Sequence, residues 1–255
     1  MRVALLDADI IAYKAAAASE RLYDWDGDGA VSCASDLTRA VALTDKTVDE
    51  LADRLRAQRV VVCLSDEFRN FRSDIYADYK SNRAAIRRPE LLYEIKDYLA
   101  KTFDCRMKPG LEADDVMGIL ATEPSDEDRI IVSEDKDMRT IPSKVYDPNR
   151  PQNGIMKISP LDADRFHCWQ TIVGDPVDGY PGAYGVGKRS VYAEDIITAE
   201  REELWDTVLM AFSSVGLDEQ DAVVQARCAR ILRWGDYDES KGEPVLWTPA
   251  LLSVD

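Results

Sequence analysis

Three short runs, Arg2–Leu6, Arg59–Leu64 and Arg129–Val132, are apolar after their first residue, with no polar alternation. Continuous apolar runs of that length read as strands buried on both faces of a sheet. Each ends against acid: Asp7 after the first, Asp66 after the second, Asp135 and Asp137 after the third. Helical spacing predicts an Ala-rich helix over Ile10–Ser19 and another over Thr47–Gln58 with Thr47 at its N-cap. A third is expected from Pro89 to about Lys101. Val116, Ile119 and Leu120 mark a fourth, whose start is crowded by Glu112, Asp114 and Asp115. Residues 21 to 45 look irregular, with room for a two-stranded hairpin. Phe103–Met107 reads as a short strand, and Val145–Tyr146 with Ile155–Ile158 as an edge hairpin. Ser159-Pro160 is an N-cap and N1 pair opening a helix. From Arg201 onward the pattern is amphipathic helix, including Asp221–Trp234, with a last extended piece at Pro244–Pro249. Strands alternating with helices predict an α/β fold with a mostly parallel sheet, and a soft boundary near Pro160 separates it from a helical half.

Composition narrows the function classes. The 255 residues are 45% hydrophobic, enough for one large core or two modest ones. No apolar run is long enough to span a membrane. Asp7 and Asp9 interrupt the first apolar stretch, so a signal peptide is not expected. Five scattered cysteines without a CxxC read as reduced thiols of a cytoplasmic protein. One histidine, His167, leaves little for a zinc site; beside Phe166 and Trp169 it reads as partly packed. The net charge of −16 argues against a protein that coats nucleic acid, but not against a nuclease with an acidic metal site and local basic groups.

The basic exception is residues 67 to 88, where Arg69, Arg72, Lys80, Arg83, Arg87 and Arg88 are interleaved with Phe68, Phe71, Tyr76 and Tyr79. Cations and rings together suit single-stranded nucleic acid; the alternative is a solvated loop anchored by its aromatics. Two motifs fail on inspection. Asp24, Asp26, Asp28 and Gly29 imitate a calcium loop, but Ser35 stands where the closing Glu belongs. Gly182, Gly187 and Lys188 imitate a phosphate-binding loop of a nucleotide hydrolase, but Arg189 replaces the hydroxyl residue and no strand precedes it. A helix–turn–helix gripping duplex phosphates is the better reading of that turn.

Parallel neighbouring strands would bring Asp7, Asp66, Asp135 and Asp137 to one sheet edge, joined by the acids of the 112–115 helix start and by Asp175 and Asp178 in a glycine-rich turn. So many carboxylates cannot share a site while ionised without cations. All-oxygen ligands favour Mg²⁺, or Mn²⁺ in its place. Two such ions roughly 4 Å apart can clamp the attacking and leaving oxygens of a phosphodiester.

The motifs LLDAD, YKSNR, LEADDVMG, SEDKD, GDPVDGY with GVGKRS, and ARILRWGDYD follow one another in an order that resembles the 5′-nuclease (flap endonuclease) superfamily, most closely the 5′→3′ exonucleases of short-tailed phages. The resemblance spans about Arg2 to Trp247. It implies a PIN-like α/β core over 1–159 with an arch at 67–88. It also implies a helical DNA-binding region over 160–255, with a helix–turn–helix at about 174–199. By resemblance, Asp7, Asp66, Glu112 and Asp114 surround one metal. Asp135, Asp137 and Asp175 hold the second, with Asp115 and Asp178 contributing, in all two or three ions. Tyr79, Lys80 and Arg83 fall on the arch, where Lys80 and Arg83 steer the scissile phosphate; with Arg87, Lys188 and Arg189 they form the DNA-binding set. The family's first motif is usually Asp-Gly-Asn-like, so Asp9 is open as a further ligand. The implied activity is hydrolysis of double-stranded DNA at a 5′ end, nick, gap or flap, and of RNA in hybrids, releasing 5′-phosphates. The setting implied is phage DNA replication or host DNA breakdown. The alternative is a catalytically silent junction binder on the same scaffold, which should have lost some of these acids.

Overall fold

The computed structural model describes residues 1–24, 31–83 and 85–253. Three residues of the apparent calcium loop, Asp26, Asp28 and Gly29, lie outside them. The central sheet has six strands in the order β5-β4-β1-β6-β7-β8: β1 (Arg2–Asp7), β4 (Arg59–Cys63), β5 (Asp104–Arg106), β6 (Asp128–Val132), β7 (Lys144–Tyr146) and β8 (Ile155–Lys157). All neighbours are parallel except β7 and β8, which form the expected edge hairpin. The three apolar runs are therefore adjacent central strands. Val3, Leu5, Val61, Cys63 and Ile131 face one layer, with α5 (Ala113–Thr122). Ala4, Leu6, Val62, Ile130 and Val132 face the other, under α1 (Ala8–Ser19), α2 (Leu37–Leu55) and α4 (Leu92–Thr102). Burial on both faces explains why these strands read as unbroken apolar runs.

A hairpin of β2 (Glu20–Asp24) and β3 (Val31–Ser35) precedes α2. That helix corrects the sequence reading. It starts at Leu37, capped by Asp36, whose side chain accepts from the Arg39 amide at 2.9 Å. Thr47 is in its middle, its hydroxyl donating to the Leu43 carbonyl at 2.8 Å. The buried stripe is Ala40, Thr44, Val48, Leu51 and Leu55; a polar Thr44 within it hid the first half of the period. Likewise Pro89 forms a turn ahead of α4 rather than its first residue.

The C-terminal half packs α6 (Pro160–Val173), α8 (Leu204–Ser213) and α9 (Glu219–Ala229) around Cys168, Ile172, Val208, Phe212 and Trp247, with the short α7 (Val191–Asp195) alongside. His167 is fully buried rather than partly packed. Its Nε2 lies 2.8 Å from the Ala226 carbonyl, and burial, aided by Arg230, pushes its pKa down to about 3. The five cysteines are free thiols. The last long helix ends at Ala229, not near Trp234, because the chain turns back: Ile231, Leu232 and Tyr237 join the α5 side of the sheet core. The small hairpin of β9 (Tyr237–Asp238) and β10 (Glu243–Pro244) follows. Among the described residues no helix is long and apolar enough to cross a membrane.

The two halves are fastened by Arg72, on α3 (Phe71–Ile75). It is 2% exposed, in a segment expected to be basic surface. Its guanidinium forms two 2.7 Å bonds to Asp115, reaches Glu112 at 3.2 Å and donates to the Cys228 carbonyl at 3.1 Å and to that of Arg230. Asp115 also accepts from the Leu232 amide at 3.1 Å. Arg72→Ala would leave Asp115 buried and unpaired and is expected to cost about 3–5 kcal/mol, measured as a drop in urea-unfolding free energy; a change within experimental error would refute the role.

Candidate metal centre and nucleic-acid interface

Parallel strand order puts the ends of β1, β4 and β6 at one edge of the sheet, where ligands of open α/β folds collect. Asp7 closes β1 and caps α1, accepting from the Ile10 amide at 3.2 Å and the Ser133 hydroxyl at 3.0 Å. Asp66, past β4, accepts from the Phe68 and Gly110 amides at 2.9 and 2.7 Å. Asp135, past β6, accepts from the Asp137 amide at 2.8 Å. Glu112 and Asp114 open α5. Asp7, Asp66, Glu112, Asp114 and Asp135 line one cavity of about 340 Å³, with Lys80 and Arg83 at its wall.

The electrostatics fit an acidic site short of positive charge. Burial, then the neighbouring Asp9 and Asp135, push Asp7 up to about 7. Burial, then Asp7 and Asp135, raise Asp114 well above a usual carboxylate. Burial and Asp135 raise Asp137. Glu112 differs: burial pushes it up, but Lys80 and Arg72 outweigh burial and bring it to about 2. Partial burial also raises Asp66, yet the amides of Gly110, Phe68 and Arg69 hold it below its ordinary value.

The remaining acids continue the wall. Asp137 and Asp175 flank Lys136, which lies 2.8 Å from Asp137 and is bonded to Asp175. Asp178 pairs with Arg83 at 2.6 Å and lies 3.6 Å from Lys80, which is bonded to Glu112. Among the described residues no three carboxylates close on a single point, and lysine ammonium groups stand beside Glu112, Asp137, Asp175 and Asp178. The donor set still suits a hard divalent cation: every donor is a carboxylate oxygen, and the least compensated, Asp7 and Asp114, resist ionisation without added positive charge.

Three expected site residues are placed otherwise. Asp115 is fully buried, with both oxygens on Arg72, and faces away from the cavity. It closes the capping box of α5 instead, accepting from the Glu112 amide. Tyr79 is 6% exposed, too covered to stack on a base; its hydroxyl donates to Glu112 at 2.9 Å and lies 3.2 Å from Asp178. Arg87 is turned to the β2–β3 hairpin, where it grips Glu20 with two 2.9 Å bonds. Asp9 lines the cavity, but Ser65 and Lys96, at 2.8 Å, take its oxygens. Lys188 and Arg189 are exposed in the loop between α6 and α7.

The sequence reading missed four groups. Lys136 could have been noticed between two acids. Ser133 opens the same SEDKD motif, whereas Lys96 and Gln170, which donates to Asp137 at 2.6 Å, carry no local signal because the fold alone brings them there. The loop holding Asp175 and Asp178 is fixed by tight backbone approaches. Gly179, at φ +79°, has no room for a Cβ, which would stand 2.7 Å from the Asp78 carbonyl. Beside it the Lys80 amide donates to the Asp178 carbonyl at 2.7 Å, and Lys80 itself has φ +55°. The arch segment and the glycine-rich loop therefore meet where Lys80 enters the site.

Comparison with known proteins gives the family and the fold. The family model described as 5'-3' exonuclease, N-terminal resolvase-like domain, matches residues 2–159. An exonuclease of Escherichia phage T7 is 29% identical, covering 97% of this chain and 93% of its own. A 5'-3' exonuclease of Mycobacterium tuberculosis is 30% identical over 53% of each chain. Among solved structures, the T5 D15 protein co-crystallised with metal ions shares the fold, with a TM-score of 0.60 at 18% identity, covering 89% of this chain and 91% of its own. The chain belongs to the 5'-3' exonuclease family and is a 5′→3′ nuclease.

Proposed function

We propose that the acidic cavity binds Mg²⁺, with Mn²⁺ as a substitute, and hydrolyses phosphodiesters from the 5′ end of duplex DNA or at a nick, gap or flap. RNA in hybrids is a second substrate, and 5′-phosphorylated mononucleotides or short fragments are the products. The observation that carries this reading is the convergence of five carboxylates from three strand ends and one helix start on one cavity, walled by Lys80 and Arg83. A solved structure of this fold, a complex of the T5 D15 flap endonuclease, contains DNA and metal ions, which supports the same assignment here. The phage relatives support a role in DNA replication or host DNA breakdown in the cytoplasm of an infected cell.

Asp7, Asp66, Glu112 and Asp114 would hold one cation, joined by Asp135, which the resemblance assigns to the second but which lines this cavity; Asp137, Asp175 and Asp178 would hold a second. Bound divalent cations supply Lewis acidity and a lowered water pKa. The chain's own groups do the rest. Asp7 and Asp135 stay fixed by the amides they cap. Lys80 and Arg83 exchange their ion pairs with Glu112 and Asp178 for the phosphate oxygens, and neutralise charge that builds there during attack. Tyr79 keeps Glu112 and Asp178 apart at a set distance. Lys188 and Arg189 hold the duplex backbone. A silent junction binder is disfavoured because the acid set is complete.

Asp135→Asn is expected to abolish cleavage of an end-labelled duplex while duplex binding in Ca²⁺ stays within a fewfold of the parent; full activity at saturating Mg²⁺ would sink the assignment. Lys80→Ala should slow single-turnover cleavage by about 10²-fold, as loss of a positioned charge does, with a smaller change in Kd; a pure affinity loss would refute the catalytic role. Mg²⁺ should raise the melting temperature of the parent, and EDTA should reverse the rise. Combining Asp7→Asn with Asp114→Asn should remove most of this shift, read by calorimetry without substrate.

A further inference from the structure

A second concave surface lies outside the acidic cavity, where the turn after Asp137, strand β8 and the outer face of α6 meet. Its volume is about 480 Å³. Phe166 and Trp169, one helical turn apart on α6, stack with centroids 5.5 Å apart and planes 14° from parallel. The Arg139 guanidinium lies 4.4 Å from the Phe166 centroid, and Lys188 Nζ 5.8 Å from that of Trp169. The result is a four-layer ladder, cation–ring–ring–cation. Lys157 and Arg165 line the same groove together with its one acid, Asp162, which lies 3.6 Å from Arg165. Arg139, Lys157 and Lys188 are all exposed, and none has a carboxylate partner among the described residues. In a chain with 48 acidic and 32 basic residues, three neighbouring cations without acidic partners form a local positive surface.

We propose that this groove is a binding track for the backbone of duplex DNA, extending the substrate path beyond the loop that carries Lys188. The inference rests on the nuclease reading and adds Arg139 and Lys157 as phosphate-binding residues, with Phe166 and Trp169 as positioning residues. Phosphate rather than base is the ligand, because the outer faces of both rings are already covered by cations. Duplex rather than single strand follows from rigidity. The rings fix the spacing of Arg139 and Lys188, and a stiff double helix presents phosphates at fixed spacing. The path is continuous with the site: Arg139 stands two residues after Asp137, and Gln170, next to Trp169, donates to Asp137.

The test is the salt dependence of binding in Ca²⁺ without cleavage, using a nested series of blunt duplexes and a single strand of matched length. Removing one cation that neutralises a phosphate should make the slope of log K against log salt shallower by about 0.9. Arg139→Ala and Lys157→Ala should each do so on the longer duplexes and leave single-strand binding unchanged. Arg139→Lys should keep the parent slope. Phe166→Leu should weaken duplex binding several-fold at an unchanged slope, because it removes the positioning ring but no charge. Unchanged slopes in both alanine variants, with the parent binding and cutting normally, would overturn the groove and leave the nuclease reading standing. Equal losses on single strand and duplex would overturn the choice of duplex. A parent that neither binds nor cuts DNA would overturn the nuclease reading itself.

Discussion

Carboxylates gathered in a partly buried pocket repel one another, and that constraint shapes much of the molecule. Burial, with that repulsion added to it, moves Asp7 up to about 7 and raises Asp114 and Asp137 as well. Most of these acids are held against that pressure by something specific. Backbone amides hold Asp7, Asp66 and Asp135. Lysines stand beside Glu112, Asp137 and Asp175. Arg72 and Lys80 together make Glu112 an unusually strong acid. The site is thus built before any cation arrives, at the expense of local stability, and cations complete it.

In the proposed metal centre, capping and ligation are one arrangement rather than two. A carboxylate at the start of a helix or turn is favoured there by the free amides and the dipole. The same placement at the end of a buried parallel strand points it across the sheet edge. Asp7 and Asp135 cap as observed and would ligate in the proposed centre, so a structural account of either is not evidence against a chemical one. Asp115 is the counter-example. It stands beside Asp114 at the same helix start, yet one residue around the helix turns it inward onto Arg72, where it binds the halves together.

That contrast explains what the sequence could and could not disclose. Strand ends were legible because apolar runs and the acids after them are local signals. Which of Glu112, Asp114 and Asp115 faces the cavity was not legible, since it depends on the rotation of α5 against the sheet. Arg72 looked like surface in a basic segment, and Tyr79 was open between stacking on a base and anchoring the loop; only the chain's return through residues 228 to 232 buries Arg72, and only the loop at Asp178 and Tyr180 covers Tyr79. The start of α2 was lost because Thr44 interrupts an apolar stripe that the fold nonetheless buries. Motif order identified the family where periodicity could not, because it samples residues whose proximity is tertiary.

An acidic chain that must hold a polyanion needs its positive groups concentrated and held in place rather than numerous. Lys80 illustrates how that is done. Its backbone is in the left-handed region, unusual for a side chain of its size, and is kept there by the hydrogen bond that its amide donates to the Asp178 carbonyl. Asp178 in turn is gripped by Arg83, and Gly179 lets the two backbones touch. The same few atoms therefore join the segment proposed to meet the scissile phosphate to the loop that carries Lys188. A displacement of that loop by a bound duplex would be felt directly at Lys80. The coupling needs no long pathway, because the two parts of the substrate path share a hydrogen bond.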